Sequence, residues 1–257
     1  MHVETPLNPT GYVYNLKEFA EKAHSRGAYL TVDATFGPPP LQDPFEWGAD
    51  VVMHSGTKYV GGHSDMLCGI LAVNPARAKE GWFQGLEKER VALGSVMGSL
   101  EGWLGIRSVR SLGVRVERQA FNAGKLVKWL DDALKGGDTD GEAIRKVVGK
   151  IDHASLQEED IKEGWLLKQM PNGFGPVFSI TMKEQTFARR LPSKLELFHH
   201  ATSLGGVESL IEWRTMSDTT IDTRLLRVSV GIEGWEDLRD DLLRGFKALG
   251  AEELQKI

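Results

Sequence analysis

Between Asn15 and Gly27 the apolar side chains fall at Leu16, Phe19, Ala20 and Ala23, one stripe of a helix with a 3.6-residue repeat. Asn15 is placed to cap this helix, Glu18 follows three residues later as in a capping box, and Gly27 is a natural stop. The segment before it, through Pro6-Leu7-Asn8-Pro9-Thr10-Gly11, reads as a loop, so the chain opens on a loop rather than an element. The pattern then changes to short apolar runs at 28–32, 49–54 and 67–73, with Pro38, Pro39 and Pro40 in a turn-rich stretch between the first two. Such runs predict a mostly parallel sheet buried on both faces. Helical spacing returns from about 98 to 130, at Leu100, Trp103, Leu104, Val109, Leu112, Val116, Leu126, Val127 and Leu130. Residues 135–141 are polar and glycine-rich and read as a loop. Beyond them, strands are expected at 175–182, 207–211 and 225–230, alternating with helices around 185–203 and 235–249. The last helix places Leu238, Leu242, Phe246 and Leu249 on one face and stops at Gly250. The pattern therefore predicts an incomplete α/β domain over residues 1–100, then connecting helices and a small α+β domain over 101–257, without internal repeats.

Composition narrows the function classes. With 257 residues, 41% apolar and 26% charged, the chain can bury a core as one large domain or two modest ones. A net charge of −5 and no basic run remove the electrostatic footprint expected of a nucleic-acid or anionic-membrane binder. No apolar stretch is long enough to cross a bilayer, and the polar start meeting Pro6 and Pro9 does not read as a signal peptide. Cys68 is the sole cysteine, which excludes an internal disulfide and suits a cytoplasmic protein. Glycines cluster at Gly56, Gly61-Gly62, Gly173, Gly175 and Gly205-Gly206, where tight turns would let backbone approach a ligand.

The segment His54-Ser55-Gly56-Thr57-Lys58-Tyr59 follows a predicted strand, with Gly61-Gly62-His63-Ser64-Asp65 after it. A lysine amine there can condense with an aldehyde cofactor as a Schiff base and then serve as general base. Ser55 and Thr57, with Gly56 between them, can wrap that cofactor's phosphate; a surface lysine in a loop is the plain alternative. Asp33 ends a strand 25 residues earlier. A carboxylate facing the ring nitrogen of pyridoxal 5′-phosphate keeps that nitrogen protonated, although a turn or cap aspartate would occupy the same position. His54 and His63 lack the cysteine or carboxylate companions of a zinc site and read as loop or core histidines. Trp82, Trp103 and Trp129 are expected in core or subunit contacts.

Several ordered strings agree with one family. Glu4-Thr5-Pro6-Leu7-Asn8-Pro9-Thr10, Val32-Asp33-Ala34-Thr35-Phe36, the run 54–65, Ser203-Leu204-Gly205-Gly206-Val207-Glu208-Ser209-Leu210 and residues 225–233 together resemble the Cys/Met-metabolism pyridoxal-phosphate enzymes. This transsulfuration group includes cystathionine γ-synthase, the cystathionine β- and γ-lyases and methionine γ-lyase. The resemblance spans nearly the whole chain. It implies an α/β fold of the aspartate aminotransferase-like, fold type I, PLP-dependent transferase class, with a partial large domain and a small C-terminal domain. It further implies Lys58 as the Schiff-base lysine, Asp33 as the ring-nitrogen partner, and Ser55 and Thr57 at the phosphate. Asn8 would lie beside the cofactor's phenolic oxygen and the substrate carboxylate, Arg227 would hold that carboxylate in a bidentate pair, and Ser203 would line the pocket near Lys58. Read without the resemblance, Arg227 is a charge inside an apolar strand that needs a partner, a substrate carboxylate being one candidate.

The same resemblance implies segments ahead of Met1: a phosphate-binding turn, a ring-stacking tyrosine and an arm that completes a neighbouring subunit's site. The chain is thus expected to be N-terminally incomplete. Ala34 replaces the usual asparagine after the aspartate, and Glu212-Trp213-Arg214-Thr215-Met216-Ser217 lacks the usual His-Pro, so the substrate loop is expected to differ. The implied function is carbon–sulfur bond elimination or γ-replacement on sulfur amino acids in methionine and cysteine metabolism, by a homo-oligomer arranged as a dimer of dimers. A catalytically silent fragment acting as a folded or partner-binding module, and another pyridoxal-phosphate reaction on the same fold, are the alternatives.

Overall fold

The computed structural model describes residues 1–136 and 140–254. Its first element is a strand, β1 (His2–Glu4), not the expected loop. Three residues carry no readable alternation; they form a strand only because they pair parallel to β2 (Thr31–Asp33). Between them α1 (Leu16–His24) turns Leu16, Ala20 and Ala23 onto Val3, Leu30, Val32 and Val52 of the sheet layer. Asn15 precedes the helix as expected, but its side chain does not cap it; its amide instead donates to Glu18 Oε1 at 3.1 Å. β3 (Val51–Ser55) joins β2 in parallel, and β4 (Gly69–Val73) closes the row antiparallel to β3, giving the order β1-β2-β3-β4. Leu71 of β4 is 56% exposed, and in β2 and β3 only Val32 and Val52 are buried, against α1, while Thr31, Asp33, Val51 and Met53 are half-buried, so the expected burial on both faces is met on the α1 face alone.

Two short helices that the sequence pattern does not announce follow, α2 (Pro75–Lys79) and α3 (Trp82–Ala92). The helical stretch expected over 98–130 is two helices, α4 (Ser99–Val109) and α5 (Leu112–Leu134). Trp103, expected to be in contact, is 61% exposed on α4 with Leu100 and Ile106. The expected loop at 135–141 is partly helical, since α6 (Gly141–Val147) begins at its end; residues 137–139 of that loop lie outside the described residues.

The remaining elements are β5 (Val148–Asp152), α7 (Glu158–Glu163), α8 (Trp165–Gln169), β6 (Val177–Met182), α9 (Gln185–Arg190), β7 (His199–His200), β8 (Leu210–Trp213), β9 (Leu225–Ser229) and α10 (Trp235–Leu254). Their strands form a second sheet in the order β5-β6-β9-β8-β7, antiparallel except for the β7–β8 pair. The helix expected across 185–203 stops at Arg190. A 3₁₀ turn containing Pro192 follows, and the chain then extends into β7, because proline lacks the N–H that would continue the helix. The strand expected at 207–211 begins only at Leu210. Val207 instead turns its N–H to Gly62 O at 3.0 Å, tying this loop to the turn between β3 and β4.

α5, α6 and α10 cover the second sheet around Leu126, Ile144, Phe178, Val228, Leu242 and Phe246. A middle cluster of Val13, Phe36, Tyr59, Val116, Val177 and Leu204 joins the two sheets. Along α5, beside its apolar stripe, Arg115, Gln119 and Asn122 are buried at helical spacing. Arg115 donates to Tyr59 O at 2.8 Å and Ser108 O at 3.1 Å, Gln119 to Gly206 O at 2.6 Å, and Asn122 to Gly231 O at 3.0 Å. One helix therefore fastens three loops by their backbone carbonyls, groups that would otherwise be buried without donors.

Candidate active site

Parallel pairing brings Glu4, Asp33 and the end of β3 to one edge of the first sheet, where ligands bind in parallel α/β folds. Thr35 locks two of these ends together. Its N–H donates to Asp33 Oδ1 at 2.9 Å, and its hydroxyl accepts from Ser55 N at 2.8 Å. Beyond Ser55 the chain turns tightly, with Gly61 N on Gly56 O at 2.8 Å and Gly62 N on Lys58 O at 2.6 Å, and Lys58 projects from that turn. Gly62 has φ +67° and no room for a Cβ against the Arg115 guanidinium, so α5 grips the lysine turn directly. On the other side, Gly205 (φ +81°) lies so close that a Cβ would come within 2.9 Å of Tyr59 N and 3.1 Å of Lys58 C.

A cleft of about 350 Å³ opens here, lined by Glu4, Asn8, Asp33, Ser55 and Lys58 from the first sheet's side and by Thr202, Glu212, Arg214 and Arg227 from the second's. A larger cleft of about 660 Å³, bordered by Tyr12, His153 and Asp160, contains none of the predicted lysine, aspartate and arginine set. Lys58 Nζ donates to Ser203 Oγ at 3.4 Å. Burial pulls the Lys58 pKa below the usual lysine value and the Arg227 charge adds to this, with Glu212 acting in the opposite sense. Burial raises the Glu4 carboxyl, with Asp33 contributing, against a hydrogen bond from Asn8 N at 3.2 Å.

Arg227 is 3% exposed on β9. It donates through Nη2 to Thr202 O at 2.6 Å and Ser203 O at 3.0 Å, and through Nη1 to Asn8 Oδ1 at 3.4 Å. Its charge also has a protein partner that sequence reasoning missed. Glu212, directly opposite on β8, lies 2.6 Å from Nη2 and is 1% exposed. Arg214 Nη1 donates to both oxygens of the same carboxylate, at 3.1 and 3.0 Å, and Ser217 Oγ donates to Oε1 at 2.5 Å. The available signal was a second lone charge inside an apolar strand, Leu210-Ile211-Glu212-Trp213.

Among the predicted residues, Lys58, Asp33, Ser55, Asn8 and Arg227 border the one cleft, and Ser203 meets Lys58 through its hydroxyl. Thr57 does not border it; its hydroxyl accepts from Cys68 N at 3.2 Å. For pyridoxal 5′-phosphate the donor set fits: an amine held below its usual pKa and a carboxylate border one cleft, with serine and asparagine side chains between strands. A model of the Cys/Met metabolism PLP-dependent enzymes matches residues 1–247. The chain belongs to that family.

The family's cofactor is pyridoxal 5′-phosphate. The chain is 32% identical over 255 residues to a cystathionine beta-lyase of Lactococcus lactis subsp. cremoris (strain MG1363), covering 94% of this chain and 62% of that protein. It is 36% identical over 261 residues to the cystathionine gamma-synthase of Escherichia coli (strain K12), covering 96% and 62%. Among solved structures, cystathionine gamma synthase from Xanthomonas oryzae pv. oryzae in complex with aminoacrylate and cysteine superposes with a TM-score of 0.84 at 32% identity, covering 98% of this chain and 63% of that one. The chain thus spans less than two thirds of the length of these relatives. No helix among the described residues is long and apolar enough to cross a membrane.

Proposed function

We propose that this protein is a PLP-dependent transsulfuration enzyme that acts on sulfur amino acids with cystathionine γ-synthase or cystathionine β/γ-lyase chemistry. The observation that carries this reading is the convergence of Lys58 from the turn after β3, Asp33 from β2 and Arg227 from β9 on one cleft between two sheets. Lys58 holds the cofactor, Asp33 its ring nitrogen, Ser55 its phosphate and Asn8 its phenolic oxygen, while Thr57, outside the cleft, supports the turn through Cys68 N instead of the phosphate role expected of it. When bound, the cofactor supplies an electron sink for negative charge at the substrate α-carbon. The protein's own groups do the rest. Arg227 and Asn8 hold the substrate carboxylate, which aims the α-hydrogen at Lys58. Burial beside the Arg227 charge holds the Lys58 pKa below the usual lysine value, which favours the neutral amine that takes that proton and then returns it. Ser203 Oγ, 3.4 Å from Nζ, orients the amine between these roles.

Residues 1–100 would then form the C-terminal part of the cofactor domain and 101–257 the connecting helices and small domain. A homo-oligomer is part of this proposal. Phe83 on α3, Leu93 just after it, and Leu100, Trp103 and Ile106 on α4 are each more than half exposed, an apolar surface of the kind that subunits cover. A cytoplasmic setting fits the single cysteine. The test adds PLP to the purified protein and to Lys58→Ala. A visible absorption band that requires Lys58, with ammonia and keto-acid release from cystathionine, is the expected result. Absence of the band in the unaltered protein overturns the reading.

A further inference from the structure

The Glu212 carboxylate raises an electrostatic problem for any site in which Arg227 receives a substrate carboxylate. At 2.6 Å and 1% exposure, Glu212 neutralises Arg227 on its own. A neutral pair would give an incoming carboxylate little net attraction and would set it beside a like charge. Arg214 changes the balance. Its Nη1 donates to both Glu212 oxygens, and both arginines touch Oε2, so one carboxylate is divided between two adjacent guanidiniums. The Arg214 side chain is 13% exposed, which keeps its charge from being screened away as a surface charge would be. Glu212 also accepts from Ser217 Oγ, so three hydrogen bonds and two ion pairs gather on this one carboxylate. The guanidinium Nε atoms of Arg214 and Arg227 are both buried with no hydrogen-bond partner, donors unspent beside the cleft that both residues line. Asp218, on the Arg214 loop, turns its carboxylate mainly to Thr220, with the Arg214 charge a smaller influence on it, while Glu4 and Asp33 stand on the first sheet's side of the cleft.

We propose that Arg214 is the residue that keeps this site cationic toward a carboxylate: by engaging Glu212 it leaves a positive charge at Arg227 for the substrate. This makes it a positioning residue, acting through Glu212 and Arg227. The inference rests on the reading above that Arg227 takes the substrate carboxylate, but its test needs neither cofactor nor turnover.

The test titrates the full chain without PLP with propionate, and with propionamide as the uncharged control, following heat by calorimetry. Propionate binds more tightly than propionamide in the unaltered protein. Arg214→Gln weakens propionate on the order of tenfold, the scale of one partly screened charge interaction, and leaves propionamide unmoved. Arg214→Lys restores much of the loss. In Arg214→Gln/Glu212→Gln the affinity returns, because the opposing carboxylate is gone. Should Arg214→Gln fail to fold, Glu212→Gln alone decides: it tightens propionate if the inference holds. Equal propionate affinity with and without Arg214, failure of the double variant to recover, or weaker binding by Glu212→Gln each overturns it. Addition of PLP to the same samples reads the Lys58 band separately, so loss of the transsulfuration reading would not be mistaken for loss of this one.

Discussion

His153 offers a prediction whose size follows from the structure. The ring is 4% exposed at the end of β5, with Nε2–H donating to Gly175 O at 2.8 Å and Nδ1 accepting from Ser155 Oγ at 2.8 Å. Both nitrogens are committed to the neutral form, and burial pushes the pKa down from 6.5 to about 4. Above pH 6.5 the ring is neutral folded and unfolded alike, so its full contribution to stability is present. As pH falls from 6.5 towards 4 the unfolded chain takes up a proton that the folded chain refuses, and stability is lost at up to about 1.4 kcal/mol per pH unit. Between pH 7.5 and 4.5 the loss from this one group is about 2.5 kcal/mol, and below pH 4 it stops growing. Urea unfolding across that range measures it, with His153→Gln as the reference because glutamine does not titrate yet can accept and donate. The difference in stability between the two proteins should narrow by about 2.5 kcal/mol, or reverse by that amount, from pH 7.5 to 4.5. Parallel losses would refute the reasoning, since the acid lability would then belong to other groups.

Two further outcomes test how the lysine turn is held. Gly205→Ala puts a Cβ against Tyr59 N and Lys58 C at a left-handed φ; it should cost roughly 2 kcal/mol or more in denaturant unfolding and lower PLP occupancy at Lys58. Arg115→Leu removes the donor to Tyr59 O and Ser108 O. It should cost roughly 2–4 kcal/mol from stranded buried carbonyls and speed amide hydrogen exchange in residues 56–62 ahead of the rest of the first sheet.

Much of the first sheet was legible because its information is local. Val32, Val52 and the residues around them are apolar runs ended by polar ones, and Asp33 and Ser55 sit where those runs stop. β1 was not legible, since His2–Glu4 is a strand only by virtue of Thr31–Asp33 beside it. β5 was missed for a related reason: Gly149 and Lys150 interrupt its apolar pattern, and its register shifts between Val148 and Lys150. The polar row Arg115, Gln119 and Asn122 was passed over on α5 because a helical pattern is scored by its apolar face. The acceptors are carbonyls in loops up to 111 residues away, which no spacing announces.

By itself the chain marked which side chains are candidates for the proposed chemistry. Lys58, Asp33 and Arg227 stand at strand ends or inside an apolar strand, where their local surroundings mark them. Only the tertiary structure decided what those groups face. Antiparallel pairing of β8 and β9 sets Glu212 opposite Arg227, and the turn after β8 brings Arg214 back onto the same carboxylate. A buried charge signals from sequence that a partner exists; which partner, and with what net charge left over, depends on through-space distance, and strand register together with the turn after β8 sets that.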